Sequence, residues 1–331
     1  MISLIFLSSA LIVGHPPQSS AFVNQAKVAC RAAVGQNPGV DGIRIANVAA
    51  QDRDLPFLRI TDERSGGWMK LYYDPTSQRA AIARAACLGA QLRLLQAEIG
   101  GVWPNNQWSS VVMTTNASYT TPAGETITRW HVRTLPDGTL DEMAQKIIVI
   151  TMPHEQVHRF QSRAGSVTPR WFHEGHAEWI GLKISTVIAP ADARQREVEQ
   201  AAALRSSTSP VALLQWGGIR VKRAAIMRQV TDIERGKMEA DPKYNPPRSG
   251  QALVFGPNDL INDDGNEPAR YQAAWQVFRD LETAHGKIKI NQWVEEITLR
   301  AGRPDMSAIV ATAKADLGDD LVKRLRSADS R

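Results

Sequence analysis

The sequence predicts an α+β fold in which a small mixed sheet is followed by a pair of helices and then by a mostly helical C-terminal part. Short β-branched and aromatic runs, separated by turn residues, predict strands between residues 55 and 135. Helical spacing of apolar residues prevails from residue 136 onward. We therefore divide the chain into an N-terminal α/β region that includes the sheet, residues 22–135, and a helical region, residues 136–331.

Composition narrows the classes of function. The chain has 331 residues, enough to bury a large core as one domain or as two modest ones. Its formal net charge is +5, and basic and acidic residues are interleaved along the sequence. A nucleic-acid-binding protein would concentrate Lys and Arg in a stripe or patch. We therefore predict no nucleic-acid partner, while the oligomeric state is left open.

The first residues have the pattern of a leader. Residues 2–13 form an apolar run, which Gly14 and Pro16 end before it is long enough to cross a membrane. Small residues at positions 19–21 suit cleavage after Ala21. We predict a signal peptide over residues 1–21, an exported (periplasmic or secreted) protein, and no membrane span after signal removal. The run lacks a preceding basic residue, so a buried N-terminal strand or helix is the alternative.

The chain has two cysteines, Cys30 and Cys87. In an exported protein they would join in one disulfide, whereas in a reducing compartment they would be two buried thiols. The sequence leaves both alternatives open.

Local patterns predict the elements of both regions. In the N-terminal region we expect a helix over 22–35, a hairpin between Leu55 and Tyr73, a helix over 77–99, and strands at 107–115 and 126–134 with a turn at 122–124. In the helical region we expect a capping box at Thr139, Thr168 as a helix cap, helical segments at 190–207 and 211–230, a loop over 236–268, and small helices over 288–327. His131 lies in a predicted strand, where a lone histidine is more often structural than functional.

The segment His154-Glu155-Gln156-Val157-His158 is the feature most specific for chemistry. Residues four apart lie on one face of a helix, so the two imidazoles can bind one metal ion, and Glu155 beside them is suited to accept a proton from water. The alternative is a surface helix with two satisfied histidines. Pro153 implies either that this helix begins near Met152 or that a longer helix bends there.

A second helix after Pro169 supplies the rest of the predicted site. Glu174 and Glu178 are four residues apart and share one helix face. Glu174 would be the third metal ligand, and Glu178 would accept a hydrogen bond from the distal N–H of a ligand imidazole. His173 and His176 flank Glu174 but lie off its face, so we do not expect them to be ligands.

These two motifs make the chain resemble the gluzincins, the thermolysin-like zinc metallopeptidases, and above all their short bacterial peptidase MA-like members. Residues 169–179 match the pattern Pro-x-Trp-Leu-x-Glu-Gly-x-Ala-Glu-Tyr, with Phe172 at the Leu position and Trp179 at the end. The resemblance covers Leu140 to the C-terminus. It implies a zincin-like fold, Zn²⁺ held by His154, His158 and Glu174, and a sheet strand between 107 and 135 that pairs with a peptide or protein substrate. The interval from His158 to Glu174 is shorter than in thermolysin-like enzymes.

The resemblance also singles out Tyr271, at the position of a Tyr-x-x-Ala helix that packs beside the active site of these families. There the hydroxyl is a candidate donor to the tetrahedral intermediate, and the alternative is a core tyrosine.

The sequence thus predicts a zinc-dependent metallopeptidase that uses metal-activated water, with Glu155 as general base. Two alternatives are a non-catalytic, zinc-stabilised extracytoplasmic binding domain and an unrelated exported binding protein with an accidental motif.

Overall fold

The chain folds as a mixed α+β structure in which a five-stranded sheet precedes a mostly helical part, as the sequence predicts. The computed structural model describes residues 18–50, 54–100, 107–122, 127–208, 210–217, 219–241, 244, 246, 256–262, 266–300 and 302–329.

The sheet has the strand order β1-β2-β3-β4-β5. Its strands are β1 (Ile43–Val48), β2 (Phe57–Asp62), β3 (Trp68–Tyr73), β4 (Ser110–Thr114) and β5 (Arg129–Arg133). The first three pair antiparallel, and β3, β4 and β5 pair parallel, so the sheet is mixed as expected. The predicted hairpin is confirmed as β2 and β3, whereas β1 was not expected.

Strands β4 and β5 pair parallel, so the chain that connects them has to cross back to the starting edge of the sheet. The predicted turn at 122–124 falls on this connection. Residues 115–128 form that connection, and residues 123–126 of it lie outside the described part of the chain.

Two helices, α1 (Ser20–Arg31) and α2 (Gln78–Ile99), pack beside the sheet. Helix α2 ends as predicted at Gly100, whose φ of 66° suits a residue without Cβ. A disulfide between Cys30 and Cys87 joins the two helices across 57 residues of sequence. Of the two alternatives for the cysteines, the structure therefore has the disulfide.

The helix that carries His154 and His158 is the last part of a longer helix. It consists of α3 (Glu142–Lys146), a π-helical turn (Ile147–Thr151) and α4 (Met152–Gln161). Pro153 has no N–H, so it cannot hydrogen-bond to the carbonyl of Val149. Ser185 donates to that oxygen at 2.8 Å instead, and Gln91 donates to the Ile148 carbonyl at 2.8 Å. The π turn therefore accommodates the proline without breaking the helix, which is the second possibility left by the sequence.

The remaining elements complete the helical part. They are α5 (Arg170–Ile188), α6 (Pro190–Ser206), β6 (Ile219–Val221), α7 (Arg223–Met227), α8 (Asp232–Ala240), β7 (Leu260–Asn262), α9 (Glu267–His285), α10 (Lys287–Leu299), α11 (Met306–Thr312) and α12 (Leu321–Asp329). Helix α5 is central, since it packs against α4, α6 and α9.

Some local predictions for this part were wrong. Residues 211–230 include strand β6, which pairs with β7, and the expected loop over 236–268 includes the end of α8. Pro169 is the N-cap of α5 and no side chain caps that helix, so Thr168 is not its cap. Asp141, not Thr139, caps α3, because the Thr139 hydroxyl is engaged by Asp137.

Among the described residues, no helix has the length and apolar character needed to cross a membrane. Residues 1–17, most of the predicted signal peptide, lie outside the described part of the chain, and α1 begins at Ser20. The disulfide is compatible with an exported protein.

Candidate metal centre

Three side chains from two helices converge on one point. The Nε2 atoms of His154 and His158 are 3.1 Å apart, and they lie 3.3 Å and 3.4 Å from Oε2 of Glu174. Within the described residues these three groups form a cluster that could hold a metal ion.

The donor set and its spacing fit zinc. Two imidazole nitrogens and one carboxylate oxygen match the three protein ligands of catalytic zinc sites, which keep a fourth position open. Ligands about 2.1 Å from a tetrahedral ion lie about 3.4 Å from one another. The observed separations of 3.1 to 3.4 Å are close to that value.

Two glycines allow the helices to approach closely enough for this convergence. A Cβ on Gly181 of α5 would lie 2.9 Å from the backbone N and Cα of His154 in α4. A Cβ on Gly175, next to Glu174, would lie 2.9 Å from Ala274 in α9. These two glycines therefore let α5 approach α4 and α9 closely.

Glu178 lies where the sequence predicted an acceptor for a ligand imidazole. Its Oε2 is 2.8 Å from Nδ1 of His154, and its Oε1 accepts hydrogen bonds from Arg196 and Gln200 of α6. Burial alone would raise the pKa of Glu178, but the hydrogen bond from His154 and the charge of Arg196 hold it at about 2. Glu178 is therefore ionised, and the roles of Arg196 and Gln200 were not foreseen from the sequence.

The second imidazole has a different holder, which sequence reasoning missed. Nδ1 of His158 lies 2.8 Å from Oε1 of Gln161, one turn further along α4. The signal that could have found it is the spacing of three residues from His158 on the same helix.

Neighbouring charged groups shift the pKa values of the side chains at the centre. Burial lowers the pKa of His154, but the carboxylates of Glu174 and Glu178 outweigh that effect and raise it to about 10. Burial would raise the pKa of Glu174, yet its hydrogen bonds with His154 and His158 hold it far below its usual range. The two carboxylates thus favour a positively charged group at the imidazoles. A metal ion would therefore compete with protons for the imidazole nitrogens.

Glu155 stands beside the cluster. Its Oε2 is 4.0 Å from Nε2 of His158, and its side chain is 17% exposed. Burial raises its pKa, and the neighbouring imidazoles only partly offset this. A raised pKa makes a carboxylate a stronger proton acceptor at neutral pH.

The hydroxyl of Tyr271 donates a hydrogen bond to Oε2 of Glu174 at 3.0 Å. Burial raises the pKa of this hydroxyl, so it stays protonated and can donate. The ring of Trp216 packs edge-on against Tyr271, with centroids 5.1 Å apart. Trp216, in the loop after α6, was not singled out from the sequence.

Three further histidines, His131, His173 and His176, make contacts of other kinds. His173 stacks on His158, with ring centroids 4.0 Å apart and an interplanar angle of 4°. Burial lowers the pKa of His176 to about 3, so this ring is neutral. His131 lies in β5 and packs against Tyr119. None of the three belongs to the cluster of candidate ligands among the described residues.

A cleft of about 810 Å³ opens beside the centre. Its walls come from the α4–α5 connection, the first turn of α5, the loop after α6 and the residues before α11. They include Arg170, His173, Leu214, Trp216 and Arg303. Val167 and Leu214, both in this lining, are 52% and 43% exposed. The cleft therefore offers apolar surface next to a ring that stacks on His158.

Comparison of the sequence with protein-family models and with curated proteins gives no match. The solved structures to which the chain is similar include two zinc metallopeptidases. One is a two-domain M1 zinc metallopeptidase with bound L-tryptophan, with a TM-score of 0.43, 14% identity and coverage of 86% of this chain. The other is an M1 zinc metallopeptidase from Deinococcus radiodurans with a bound Tyr-Ser-Ala substrate, with a TM-score of 0.42, 13% identity and coverage of 87% of this chain. The present chain spans 51% and 61% of their lengths.

Proposed function

We propose that the protein is a zinc-dependent peptide hydrolase of the gluzincin type. The observation that carries this proposal is the convergence of His154, His158 and Glu174 at tetrahedral spacing, with Glu155 of the same motif beside them. A purely structural zinc site is usually closed and rich in cysteine, and both cysteines of this chain are in the disulfide.

His154, His158 and Glu174 would hold the ion. When bound, zinc would lower the pKa of a water molecule and polarise the substrate carbonyl. Glu178 keeps His154 oriented through its Nδ1–H, which leaves the lone pair of Nε2 for the metal.

Glu155 accepts a proton from the attacking water and passes it to the leaving amine. Its partial burial supports this role, because the raised pKa brings the carboxyl group closer to the pH at which both transfers have to occur.

The substrate would be a peptide or protein segment bound in the cleft beside His173. Exposed Val167 and Leu214 offer apolar contact, and ligand sites are commonly apolar with a few placed polar groups. We further propose that the protein is exported, since its disulfide would persist in an oxidising compartment.

Tyr271 would donate a hydrogen bond to the oxyanion that develops during attack. We expect Tyr271→Phe to lower kcat by about 10²–10³-fold, because that charge loses a donor, while zinc affinity stays near wild type. Steady-state kinetics and a zinc competition titration measure the two effects. A fall in zinc affinity at constant kcat would instead assign the hydroxyl to holding Glu174, which it contacts in the structure.

The direct test is the zinc content of the purified protein, followed by hydrolysis of a quenched fluorescent peptide library. A zinc-to-protein ratio near one, with cleavage that a chelator removes and zinc restores, is expected. No stoichiometric zinc, even after incubation with the metal, would overturn the proposal. Stoichiometric zinc without cleavage of any peptide would favour a zinc-stabilised binding domain.

A further inference from the structure

We propose that Gln161 is a positioning residue that holds His158 in the tautomer whose Nε2 lone pair faces the metal centre. The identity of the ion rests on the proposed function, whereas the tautomer depends only on contacts within the chain.

The backbone of α5 determines the orientation of the Gln161 amide. The side chain of Gln161 is buried, with 1% exposure, and one of its amide atoms lies 2.8 Å from the carbonyl oxygen of His173. A carbonyl oxygen can only accept, so that amide atom has to be the NH₂ nitrogen. The reversed orientation would place two acceptor oxygens 2.8 Å apart.

The same NH₂ group has a second acceptor. It lies 3.1 Å from Nδ1 of His176, a ring that is 1% exposed. Both amide hydrogens are therefore used, one toward the backbone and one toward a buried imidazole nitrogen. Gln161 has no unpaired hydrogen that would favour another rotamer.

The orientation of the amide then decides the state of His158. Oε1 of Gln161 faces Nδ1 of His158 at 2.8 Å, and an amide oxygen can only accept. Nδ1 therefore carries a hydrogen, and in the neutral ring Nε2 is left with its lone pair. That nitrogen is the one that lies 3.4 Å from Glu174.

Gln161 also links the two helices that bring the ligands. The carbonyl of His173 belongs to the peptide bond that precedes Glu174. The side-chain amide of Gln161 therefore contacts both His158 of α4 and the backbone next to Glu174 of α5. The two ligand imidazoles have different holders, since His154 faces the charged carboxylate of Glu178. Gln161 orients its imidazole without adding a further negative charge to those of Glu174 and Glu178.

The chain provides a matched control for the test. Gln156 is also a glutamine of α4 with 1% exposure, and it makes two hydrogen bonds to the backbone of Ser109, at 2.9 Å and 3.0 Å. It contacts no candidate ligand in these bonds. Gln156→Leu and Gln161→Leu therefore remove equivalent buried amides, of which only one touches an imidazole of the centre.

Two measurements test the proposal. Nitrogen-15 spectra of the histidine rings should show a proton on Nδ1 of wild-type His158, both in zinc-free and in zinc-loaded protein. Zinc affinity, measured by competition with a chelator, should fall about 10–100-fold in Gln161→Leu, as for other residues that orient ligands. Gln156→Leu should lower thermal stability while zinc affinity and the His158 tautomer stay as in wild type.

An Nε2–H tautomer in the wild-type spectrum would overturn the proposal, and this spectrum does not depend on the folding of any variant. Equal zinc affinities of the two glutamine variants would also overturn it. A wild-type protein that binds no zinc would overturn the proposed function instead, and the tautomer would still report on Gln161.

Discussion

Replacement of Glu155 by glutamine is expected to lower peptide hydrolysis by about 10²–10⁴-fold, the range that a positioned general base contributes. The amide has nearly the same shape as the carboxylate but cannot accept the proton from the attacking water. Because Glu155 is not among the three candidate ligands, the zinc-to-protein ratio should stay near one. Initial rates on a cleaved peptide and metal analysis of the same preparation measure both quantities.

Glu142→Gln is the control for this loss. Glu142 lies at the start of the same long helix, its side chain is 84% exposed, and its partner Lys146 is also at the surface. We expect its activity to match wild type. Full activity in Glu155→Gln would mean that another group accepts the proton, and the proposed mechanism would be wrong.

Replacement of Glu174 by alanine is expected to remove stoichiometric zinc. The variant leaves two imidazoles, one fewer than the three protein ligands of a catalytic zinc site, and it removes the carboxylate that lies 3.3 Å and 3.4 Å from their Nε2 atoms. The zinc-to-protein ratio should fall from near one toward zero, and hydrolysis should be lost with it. Metal analysis after dialysis against zinc-free buffer gives the ratio.

Glu282→Ala separates ligand loss from damage to α5. Glu282 of α9 accepts a hydrogen bond from Trp179 at 3.0 Å and pairs with Lys183, so it also supports α5 but is not in the ligand cluster. Its zinc content should remain that of wild type even if its thermal stability falls. Zinc retained in Glu174→Ala would contradict the assignment of the third ligand.

The parts of the site that could be predicted are those set by short-range spacing. His154 and His158 share a face because four residues make about one helical turn, and the same holds for Glu174 and Glu178. The hairpin of β2 and β3 and the end of α2 at Gly100 are likewise local consequences of turn residues. Local signals failed where two residues competed for one role, as Asp141 and Thr139 did at the start of α3.

The order and direction of the strands were harder to predict from the sequence. Strand β1 is stabilised by its pairing with β2 and by close packing on α2, where a Cβ on Gly89 would lie 2.3 Å from Ile43. The parallel pairing of β4 and β5 depends on the path of the chain between them. Neither the formation of β1 nor the parallel pairing of β4 and β5 can be predicted from the residues of the strand alone. The preference of a residue for a strand depends mostly on the surface against which it packs.

Residue type and helical period are enough to show which side chains are candidates for the centre and which of them share a helix face. The contacts that orient these side chains involve other helices and follow from tertiary packing. Gln161 acts through the backbone next to Glu174, Glu178 is held by Arg196 and Gln200 of α6, and Tyr271 reaches Glu174 from α9. These contacts join residues of separate helices, and their geometry depends on how closely the helices pack, which Gly175 and Gly181 permit.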